Sequence, residues 1–378
     1  MRLVPIGSLK EGSIVARTIY DEDHRVLLNS GVKLTEQLIL RLKENQIMGV
    51  HIFDHYSSQE IKDVISPELR EKTIQEVKQV FSAIRKDIDR HISVLTSDTT
   101  KLHKRLKLMV DSKYLSKIEA VIGDLIAELT NNKDAMVGLV DIKNMKNYVY
   151  EHSVQVTVLS LLVGISMHMS QAMMKELAIS AMMHDIGLAF LEPELVKKSE
   201  ELVGEELEIY QGHCQLGYEF IRDQTALSMP VRMGVLQHHE AYNGEGFPNH
   251  LMEEGIHLYA RIIAVADCYD KMTSGVGGEW FPPNEVIEYI MGNSGRGRRF
   301  DFEVANLFVR RVVPFPLDGF VLLSDGRKAM VQELNAGNPL RPIVKVYHEQ
   351  KSPQDSYLLN LLEHQNLNLT IKQIIHEL

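Results

Sequence analysis

Apolar residues recur at intervals of three and four through the middle of the chain, and this spacing is typical of amphipathic helices. We predict helices over residues 150–168, 171–185, 202–222, 229–239, 258–274, 283–291 and 301–312. Ser170 and Pro230 mark the starts of two of them. Gly187 marks an end, because glycine tolerates the positive φ that often follows a helix. The pattern predicts an all-helical domain, which we place at residues 136–312.

Two apolar stripes at helical spacing precede that domain, within residues 59–135. One comprises Val77, Val80, Phe81, Ile84, Ile88 and Ile92, and the other comprises Leu115, Ile118, Val121, Ile122, Leu125, Ile126 and Leu129. Ser66 before Pro67 indicates a capped helix start. Such stripes either cover the core of the next domain or form a dimerising or signal-transmitting bundle. We expect packing together with a homodimer through the helices of residues 66–130.

Short apolar segments between turn-forming residues occupy both ends of the chain and predict strands. In residues 1–58 these segments are Val4–Ile6, Ser13–Ala16, Val26–Leu28 and Val50–Phe53, and an amphipathic helix opens at Leu34. In residues 313–378 they are a hairpin at Phe320–Leu323 and Met330–Leu334 and a third strand at Pro342–Tyr347, while Leu369–Leu378 fits a strand or a helix. We predict a mainly α fold with a small α+β N-terminal module and a short β-rich C-terminal segment.

The composition is that of a globular protein with a sizeable core, since 44% of the 378 residues are hydrophobic and 24% are charged. A net charge of -10 provides no global basic field, so we expect neither a DNA or RNA polymer nor a membrane as partner. The first residues lack a signal-peptide pattern, and the apolar runs are too short to span a bilayer. We therefore expect a cytoplasmic location.

The two cysteines, Cys214 and Cys268, directly follow His213 and Asp267. Two cysteines indicate no disulfide framework, in agreement with a reducing compartment. Neighbouring side chains on a helix point about 100° apart. We therefore expect both thiols to be small core residues and not ligands.

Imidazole and carboxylate side chains recur within or beside the predicted apolar helices. Such a group is costly to bury unless it is paired or bound to a metal. Taken singly, each is explained as a hydrogen-bonded core residue. Taken together, they indicate a divalent metal centre with mixed nitrogen and oxygen ligands. The set comprises His152, His184, Asp185, His213, His238, His239 and Asp267.

The segments around these residues resemble one protein family. His152, the segment HDIG at residues 184–187 and Asp267 resemble the HD superfamily of metal-dependent phosphohydrolases. Residues 238–248, HHEAYNGEGFP, resemble the HHExxxGxGYP segment of the HD-GYP phosphodiesterases, with Phe247 in place of the family's tyrosine. Residues 264–274, AVADCYDKMTS, resemble the family's AVADxYDAMTS segment. The resemblance covers residues 150–310, and an LSDG segment like that at 323–326 follows this domain in some members.

This resemblance implies an all-helical HD-type domain that hydrolyses cyclic di-GMP or a related cyclic dinucleotide with two metal ions. One ion would be bound by His152, His184, Asp185 and Asp267, and the other by His213, His238, His239 and the bridging Asp185. Iron or manganese suits such ligands best, with zinc, nickel and magnesium as alternatives. Two cations about 3.5–4 Å apart can share a hydroxide that attacks the phosphodiester.

The same motifs nominate residues for catalysis and substrate contact. The catalytic candidates are Asp185, Glu240 and Lys271, and Glu240 is expected either to orient a ligand imidazole or to be a surface side chain. Asp270 can hydrogen-bond a ligand or cap Ser274. The basic glycine-rich stretch 295–299 can hold an anion or be a solvated loop, and the glycines can let the backbone approach substrate or turn tightly. The substrate-contact candidates are Gly244, Gly246, Phe247, Arg261, Arg296, Arg298 and Arg299.

The chain departs from the family at four places. Tyr148 stands where the family often has a glutamate that helps to bind a third metal, so we expect two metals. Leu188 replaces a lysine, Phe247 lacks the phenolic hydroxyl, and residues 275–279, with Val276, replace arginine and lysine. Each lost charged contact is worth about 1.5–3 kcal/mol, so we expect slow turnover.

The sequence thus predicts a metal-dependent phosphodiesterase that converts cyclic di-GMP to linear pGpG, with onward hydrolysis to GMP left open. Two alternatives remain. One is a weakly active or inactive cyclic-dinucleotide receptor that signals through the N-terminal helices, motivated by the missing phosphate contacts. The other is an HD-type hydrolase of a different nucleotide phosphate ester.

Overall fold

The computed structural model describes residues 2–20, 25–45, 47, 49–53, 64–92, 112–132, 148–197, 201–222, 227–274, 281–315, 317–335, 338–347 and 356–375. The loop 275–279 discussed above lies outside these ranges. Helices occupy the middle of the described chain, and β-structure lies toward both ends. The predicted mainly α fold class is confirmed.

A small α+β module forms the N-terminal part. Its elements are β1 (Arg2–Pro5), β2 (Ile14–Val15), β3 (Ile19–Tyr20), β4 (Val26–Leu28), α1 (Glu36–Glu44) and β5 (Gly49–Phe53). β5 pairs with β1 on one side and β2 on the other, both antiparallel. The hydroxyl of Thr35 accepts from the backbone N–H of Leu38 and so caps α1. Ile39 and Leu42 of α1 are buried in the same apolar cluster as the sheet residues Val4 and Val50.

Two long helices, α2 (Pro67–Ile92) and α3 (Ser112–Asn131), pack directly on the central domain. Their described stripe residues, among them Val77 and Leu125, are buried in the same cluster as the domain core. The described part of both stripes therefore covers the core of the central domain, and the homodimer stays a prediction. Ser66 precedes α2, where its carbonyl accepts from the N–H of Arg70 and its hydroxyl donates to the carboxylate of Glu128.

The central helical domain is built around α4 (Tyr148–Ser166). The helices that follow are α5 (Gln171–Met182), α6 (Pro193–Lys197), α7 (Glu205–Gln211), α8 (His213–Arg222), α9 (Met229–Gln237), α10 (Leu258–Ser274), α11 (Pro283–Gly292) and α12 (Phe302–Val309). α5 and α10 both pack against α4. The hydroxyls of Ser153 and Thr157 donate to carbonyls one turn earlier, which lets polar residues lie in a helix buried on most sides. By length and composition α4 could cross a membrane, yet 72% of that window is buried inside the protein.

Three helix predictions need correction. The helix predicted over 202–222 is two helices, α7 and α8, separated at Gly212. The helix predicted over 171–185 ends at Met182. Gly187 does not end it, since this glycine lies in a 3-10 helix over Ile186–Phe190 and its φ is not positive. The helix predicted over 301–312 spans only Phe302–Val309, capped by Asp301.

A five-stranded antiparallel sheet forms the C-terminal part. Its strands are β6 (Phe320–Leu323), β7 (Lys328–Glu333), β8 (Ile343–Val346), β9 (Tyr357–Asn360) and β10 (Ile371–Ile375), in the order β10-β6-β7-β8-β9. The hairpin and the third strand agree with the sequence pattern, and the segment that fitted a strand or a helix is a strand. β9 was not predicted, because its apolar run of Tyr357, Leu358 and Leu359 is short and mostly exposed.

Candidate metal centre

Five separate elements deliver the predicted ligands to one buried point. His152 lies on α4, His184 and Asp185 follow α5, His213 begins α8, His238 ends α9, and Asp267 lies within α10. None of these six side chains belongs to a residue more than 5% exposed. The structure thus brings together residues that are more than 100 positions apart in sequence.

Each imidazole is held in place by its outward nitrogen. Nδ1 of His184, His213 and His238 lies 2.7 Å from the backbone carbonyl three residues earlier, of Ala181, Tyr210 and Val235 respectively. Because a carbonyl only accepts, Nδ1 of each ring carries the proton. The Nε2 atoms consequently point inward, which is the orientation that metal-binding histidines require.

The first group of inward atoms comes from His152, His184, Asp185 and Asp267. His152 Nε2 lies 3.2 Å from His184 Nε2 and 2.9 Å from Asp267 Oδ1. Asp185 Oδ2 lies 3.2 Å from His184 Nε2 and 3.7 Å from His152 Nε2. Four potential ligand atoms therefore surround one point.

The second group uses the other oxygen of the same aspartate. Asp185 Oδ1 lies 3.4 Å from His213 Nε2 and 3.5 Å from His238 Nε2, and these two nitrogens are 3.3 Å apart. A ring nitrogen of His239 lies within 4.8 Å of the ligand atoms of His213 and His238. Asp185 thus turns one oxygen toward each group, as a bridging carboxylate does.

This donor set fits two divalent cations. Donor atoms about 2.0–2.2 Å from a common ion lie about 3.0–3.5 Å from one another, and the observed edges of 2.9–3.7 Å match. Nε2 of His239 is buried and has no hydrogen-bond partner among the described residues. Two imidazole lone pairs also face each other in each group, which is favourable only when a cation or a proton lies between them.

The electrostatics of the cluster favour a bound positive charge. Burial alone would raise the pKa of Asp185, but the three imidazoles around it hold it well below its usual range. Burial disfavours the protonated ring of His184, yet Asp185 raises its pKa to about 9. Burial also opposes protonation of His213, but Cys214 and Asp185 raise its pKa to about 10. Burial together with the nearby His184 and His213 lowers the pKa of His238 to about 4.

Asp270 supports the first ligand group from behind. Its Oδ2 lies 2.6 Å from Nδ1 of His152, so this carboxylate does for His152 what the carbonyls do for the other three rings. The sequence allowed this role for Asp270 or a cap on Ser274, and the hydroxyl of Ser274 instead donates to the carbonyl of Lys271. The ring of Tyr148 stacks on His152 with centroids 5.2 Å apart, a contact that sequence reasoning missed.

Glu240 does not orient an imidazole, contrary to our expectation. Its two oxygens accept from the backbone N–H groups of Asn249 and Leu251 at 2.7 and 3.0 Å. The residue is 4% exposed, so it is not a surface side chain either. Glu240 therefore anchors the loop that follows the histidine pair.

The two glycines of that loop serve the chain's own folding. Gly244 has a φ of +84°, and a Cβ on Gly246 would lie 2.1 Å from the backbone nitrogen of Ala241. The loop places the ring of Phe247 beside His239, with centroids 4.8 Å apart. Phe247 thus lies at the second ligand group, where a substrate contact stays a prediction.

The nominated cations fall into three situations. Lys271 Nζ lies 3.0 Å from Asp267 Oδ1, at the edge of the first group. Arg261 is committed to Asp301, with nitrogen and oxygen 2.5 Å apart, so it is already neutralised by a carboxylate. The third situation is that of the exposed Arg296, Arg298 and Arg299. Their loop is hydrogen-bonded to the Glu240 loop, because the N–H of Tyr242 donates to the carbonyl of Arg299. Of these, only Lys271 contacts a predicted metal ligand.

Cys214 is the site residue that the sequence reasoning set aside. It is fully buried as predicted, but its Sγ lies 3.6 Å from His213 Nε2, within the second ligand group. Neighbouring side chains on a helix normally point about 100° apart, but His213 is the first residue of α8 and its ring turns back toward Asp185. Cys268 behaves as predicted, with its thiol against Met272 Sδ.

Comparison with known proteins shows which family and which named enzymes this chain resembles. Residues 139–304 match the family model described as HD domain. Over 250 residues the chain is 28% identical to cyclic di-GMP phosphodiesterase PA4108 of Pseudomonas aeruginosa, covering 66% of this chain and 59% of that protein. Over 234 residues it is 27% identical to cyclic di-GMP phosphodiesterase PdeB of Borreliella burgdorferi, covering 61% of each.

A solved structure, Bd1817, an HDG"Y"P protein from Bdellovibrio bacteriovorus, aligns with a TM-score of 0.46 at 15% identity, covering 82% of this chain and 98% of that one. The matched region spans about three fifths of the length of the two phosphodiesterases. The sequence resemblance to an HD-type domain is therefore confirmed over residues 139–304.

Proposed function

We propose that this chain is a di-metal phosphodiesterase that opens cyclic di-GMP to the linear dinucleotide pGpG. The observation that carries the proposal is the division of the Asp185 carboxylate, with Oδ2 toward His184 and Oδ1 toward His213 and His238. A carboxylate that serves two ligand groups is the feature a two-metal hydrolase needs and an isolated core aspartate does not. The likeness to named cyclic di-GMP phosphodiesterases supports the same substrate.

Two divalent ions, iron or manganese by preference, would be held by the two ligand groups described above. When bound, they would supply Lewis acidity toward the phosphodiester and an activated water as nucleophile. The protein's part is to fix the ligand atoms. The backbone carbonyls and Asp270 hold the rings, and the Glu240 loop keeps Phe247 over the second group.

Lys271 is the side chain that we assign to the substrate phosphate. Its ammonium lies beside Asp267 and carries positive charge at the centre, although Leu188 supplies none where the family has lysine. Burial opposes that charge, but Asp267 and Asp185 raise the pKa of Lys271 well above its usual range. Lys271 would therefore stay charged and compensate in part for the missing contact, with turnover still slow.

Product analysis tests the proposal. The full chain, loaded without oxygen with iron(II) or manganese(II), should convert cyclic di-GMP to pGpG, and Asp185→Asn should abolish turnover. Asp124→Asn is the matched control, because Asp124 belongs to an exposed ion pair with Lys72. Running the 3'3'-linked cyclic GMP-AMP in parallel shows which cyclic dinucleotide is preferred.

The alternatives give different results in the same assay. Tight binding of cyclic di-GMP by the metal-loaded chain without product would identify a receptor. The absence of the family's phosphate contacts at Leu188 and Phe247 favours this alternative. If the metal-loaded chain shows neither binding nor turnover of cyclic di-GMP, both the phosphodiesterase and the receptor are ruled out, and another nucleotide ester is indicated as substrate.

We also propose a cytoplasmic location and a homodimer. Since the described stripe residues of α2 and α3 are buried within the chain, a dimer would have to use other faces. Analytical ultracentrifugation of the full chain tests whether it is a dimer.

A further inference from the structure

We propose that Cys214 is a thiolate ligand of the second metal. The inference rests on the metal centre of the proposed function and adds one donor to it. Cys214 is 0% exposed and lies in the first turn of α8, directly after the ligand His213.

The distances around Cys214 match those of ligands on a common ion. Its Sγ is 3.6 Å from His213 Nε2, and the ligand atoms of His213, Cys214, His238 and His239 all lie within 4.8 Å of one another. A thiolate at about 2.3 Å and an imidazole at about 2.05 Å from one ion are separated by about 3.1 Å at a right angle and by about 3.6 Å at the tetrahedral angle. The observed sulfur–nitrogen edge of 3.6 Å lies at the upper end of this range, and the 3.3 Å edge between His213 and His238 fits two nitrogens on the same ion.

The local fold explains why sulfur and nitrogen converge. The bond from Nδ1 of His213 to the Tyr210 carbonyl turns the ring, so that Nε2 faces Asp185. The first turn of α8 is pressed against the HDIG segment at Gly187, where a Cβ would lie 1.9 Å from the His213 carbonyl oxygen. This contact holds the start of α8, and with it the thiol, at the second ligand group.

A simple thiol-to-imidazole hydrogen bond does not account for the cluster. His213 Nε2 faces Asp185 Oδ1 at 3.4 Å, His238 Nε2 at 3.3 Å and the thiol at 3.6 Å. A ring nitrogen forms one hydrogen bond at a time, either as donor or as acceptor, so His213 Nε2 cannot pair with all three, whereas one cation can bind all of the donor atoms. His239 adds an independent observation, since its Nε2 is buried without a hydrogen-bond partner among the described residues.

A sulfur donor changes which metal the second group prefers. Thiolate favours zinc, iron(II) and cobalt(II) over manganese(II) and magnesium(II), which prefer oxygen ligands. Binding would also release the thiol proton, as the S–H bond is replaced by a metal–sulfur bond without change of oxidation state. The two groups would then differ in metal preference, although the bridging Asp185 is common to both.

Cobalt(II) substitution tests the inference directly. The metal-free full chain is titrated with cobalt(II), bound cobalt is counted by elemental analysis, and the near-ultraviolet charge-transfer absorption from thiolate to cobalt is recorded. Cys214→Ser is compared with Cys268→Ser, which removes the other of the two cysteines of the chain. We expect about two ions per chain in all three proteins. The band should be present in the parent and in Cys268→Ser and absent in Cys214→Ser.

The outcomes separate this inference from the proposed function. Two bound ions without the band, or a band that survives Cys214→Ser, would overturn the sulfur ligand and leave the di-metal centre intact. Failure to bind cobalt, zinc, iron or manganese would overturn both. Should Cys214→Ser misfold, X-ray absorption at the cobalt edge of the parent protein decides, since a sulfur scatterer must appear in its first shell.

Discussion

Gly187 and His213 are in backbone contact. A Cβ added to Gly187 would lie 1.9 Å from the carbonyl oxygen of His213 and 2.9 Å from the nitrogen of Gly217. The glycine of the HDIG segment is therefore needed for close approach of two backbones and not for a positive φ. It fixes the distance between His184-Asp185 and His213, which we propose as metal ligands.

Gly187→Ala should consequently damage both folding and the second ligand group. Neither backbone can move away cheaply, so we expect a loss of about 2–3 kcal/mol in the free energy of unfolding. The folded fraction should also bind one metal where the parent binds two. Urea unfolding and elemental analysis measure these effects.

Gly123→Ala is the matched control for that experiment. Gly123 is exposed on α3 and an added Cβ meets nothing within 4 Å, so alanine there should stabilise by up to about 1 kcal/mol. Equal effects of the two substitutions would contradict the close-contact explanation.

Asp270 should control metal affinity at the first ligand group without touching the metal. Its carboxylate holds His152 Nδ1 at 2.6 Å, and removal of such a partner typically costs 10- to 100-fold in metal affinity. We expect Asp270→Ala to weaken binding of one ion by about that factor, and Asp270→Asn, which keeps an acceptor oxygen, to weaken it less. Competition with a fluorescent chelator gives both constants, with Asp124→Ala as surface control. A change in the other ion alone would contradict the assignment.

The residues that meet at the proposed metal centre could be predicted from the sequence because each is chemically costly in an apolar helix. His152 and Asp267, for example, stand within long apolar runs where neither belongs without a partner. The position of a helix start was less predictable. The break at Gly212 puts Cys214 in the first turn of a new helix, with its thiol beside His213, whereas the separation of about 100° between neighbours along a helix predicted a core residue away from the ligands.

The groups that hold the ligands left no signal in the sequence. Backbone carbonyls of Ala181, Tyr210 and Val235 fix three of the rings, and any residue provides a carbonyl. Glu240 follows two histidines and suggested a partner for them, yet its oxygens bind the N–H groups of Asn249 and Leu251, whose approach depends on the fold of the loop. Hydrogen-bond partners that meet only through the tertiary fold cannot be predicted from the spacing of residues in the sequence.

Lys271 and Leu188 should exchange roles in a double substitution. Removing the ammonium with Lys271→Met should lower kcat/KM for cyclic di-GMP by about 10- to 100-fold, as expected for one charged contact of about 1.5–3 kcal/mol. Leu188→Lys alone should raise turnover, and in the Lys271→Met background it should restore part of the loss. Lys175→Met, which removes an exposed pair with Glu119, is the control. Unchanged kinetics in Lys271→Met would show that this lysine only neutralises Asp267.

Metal affinity should rise with pH, because protons and metals compete for the same ring nitrogens. Burial opposes the charged rings, but Asp185 raises the pKa of His184 to about 9, and Cys214 with Asp185 raises that of His213 to about 10. Both rings are thus protonated at neutral pH without metal, and Nε2 must lose its proton before it can bind. Below pH 9 each proton displaced makes the apparent Kd fall by up to about tenfold per pH unit. Calorimetric titration with manganese(II) in buffers of different ionisation enthalpy measures the affinity and the protons released. A Kd independent of pH between about 6 and 8.5 would show that the imidazoles already lack these protons.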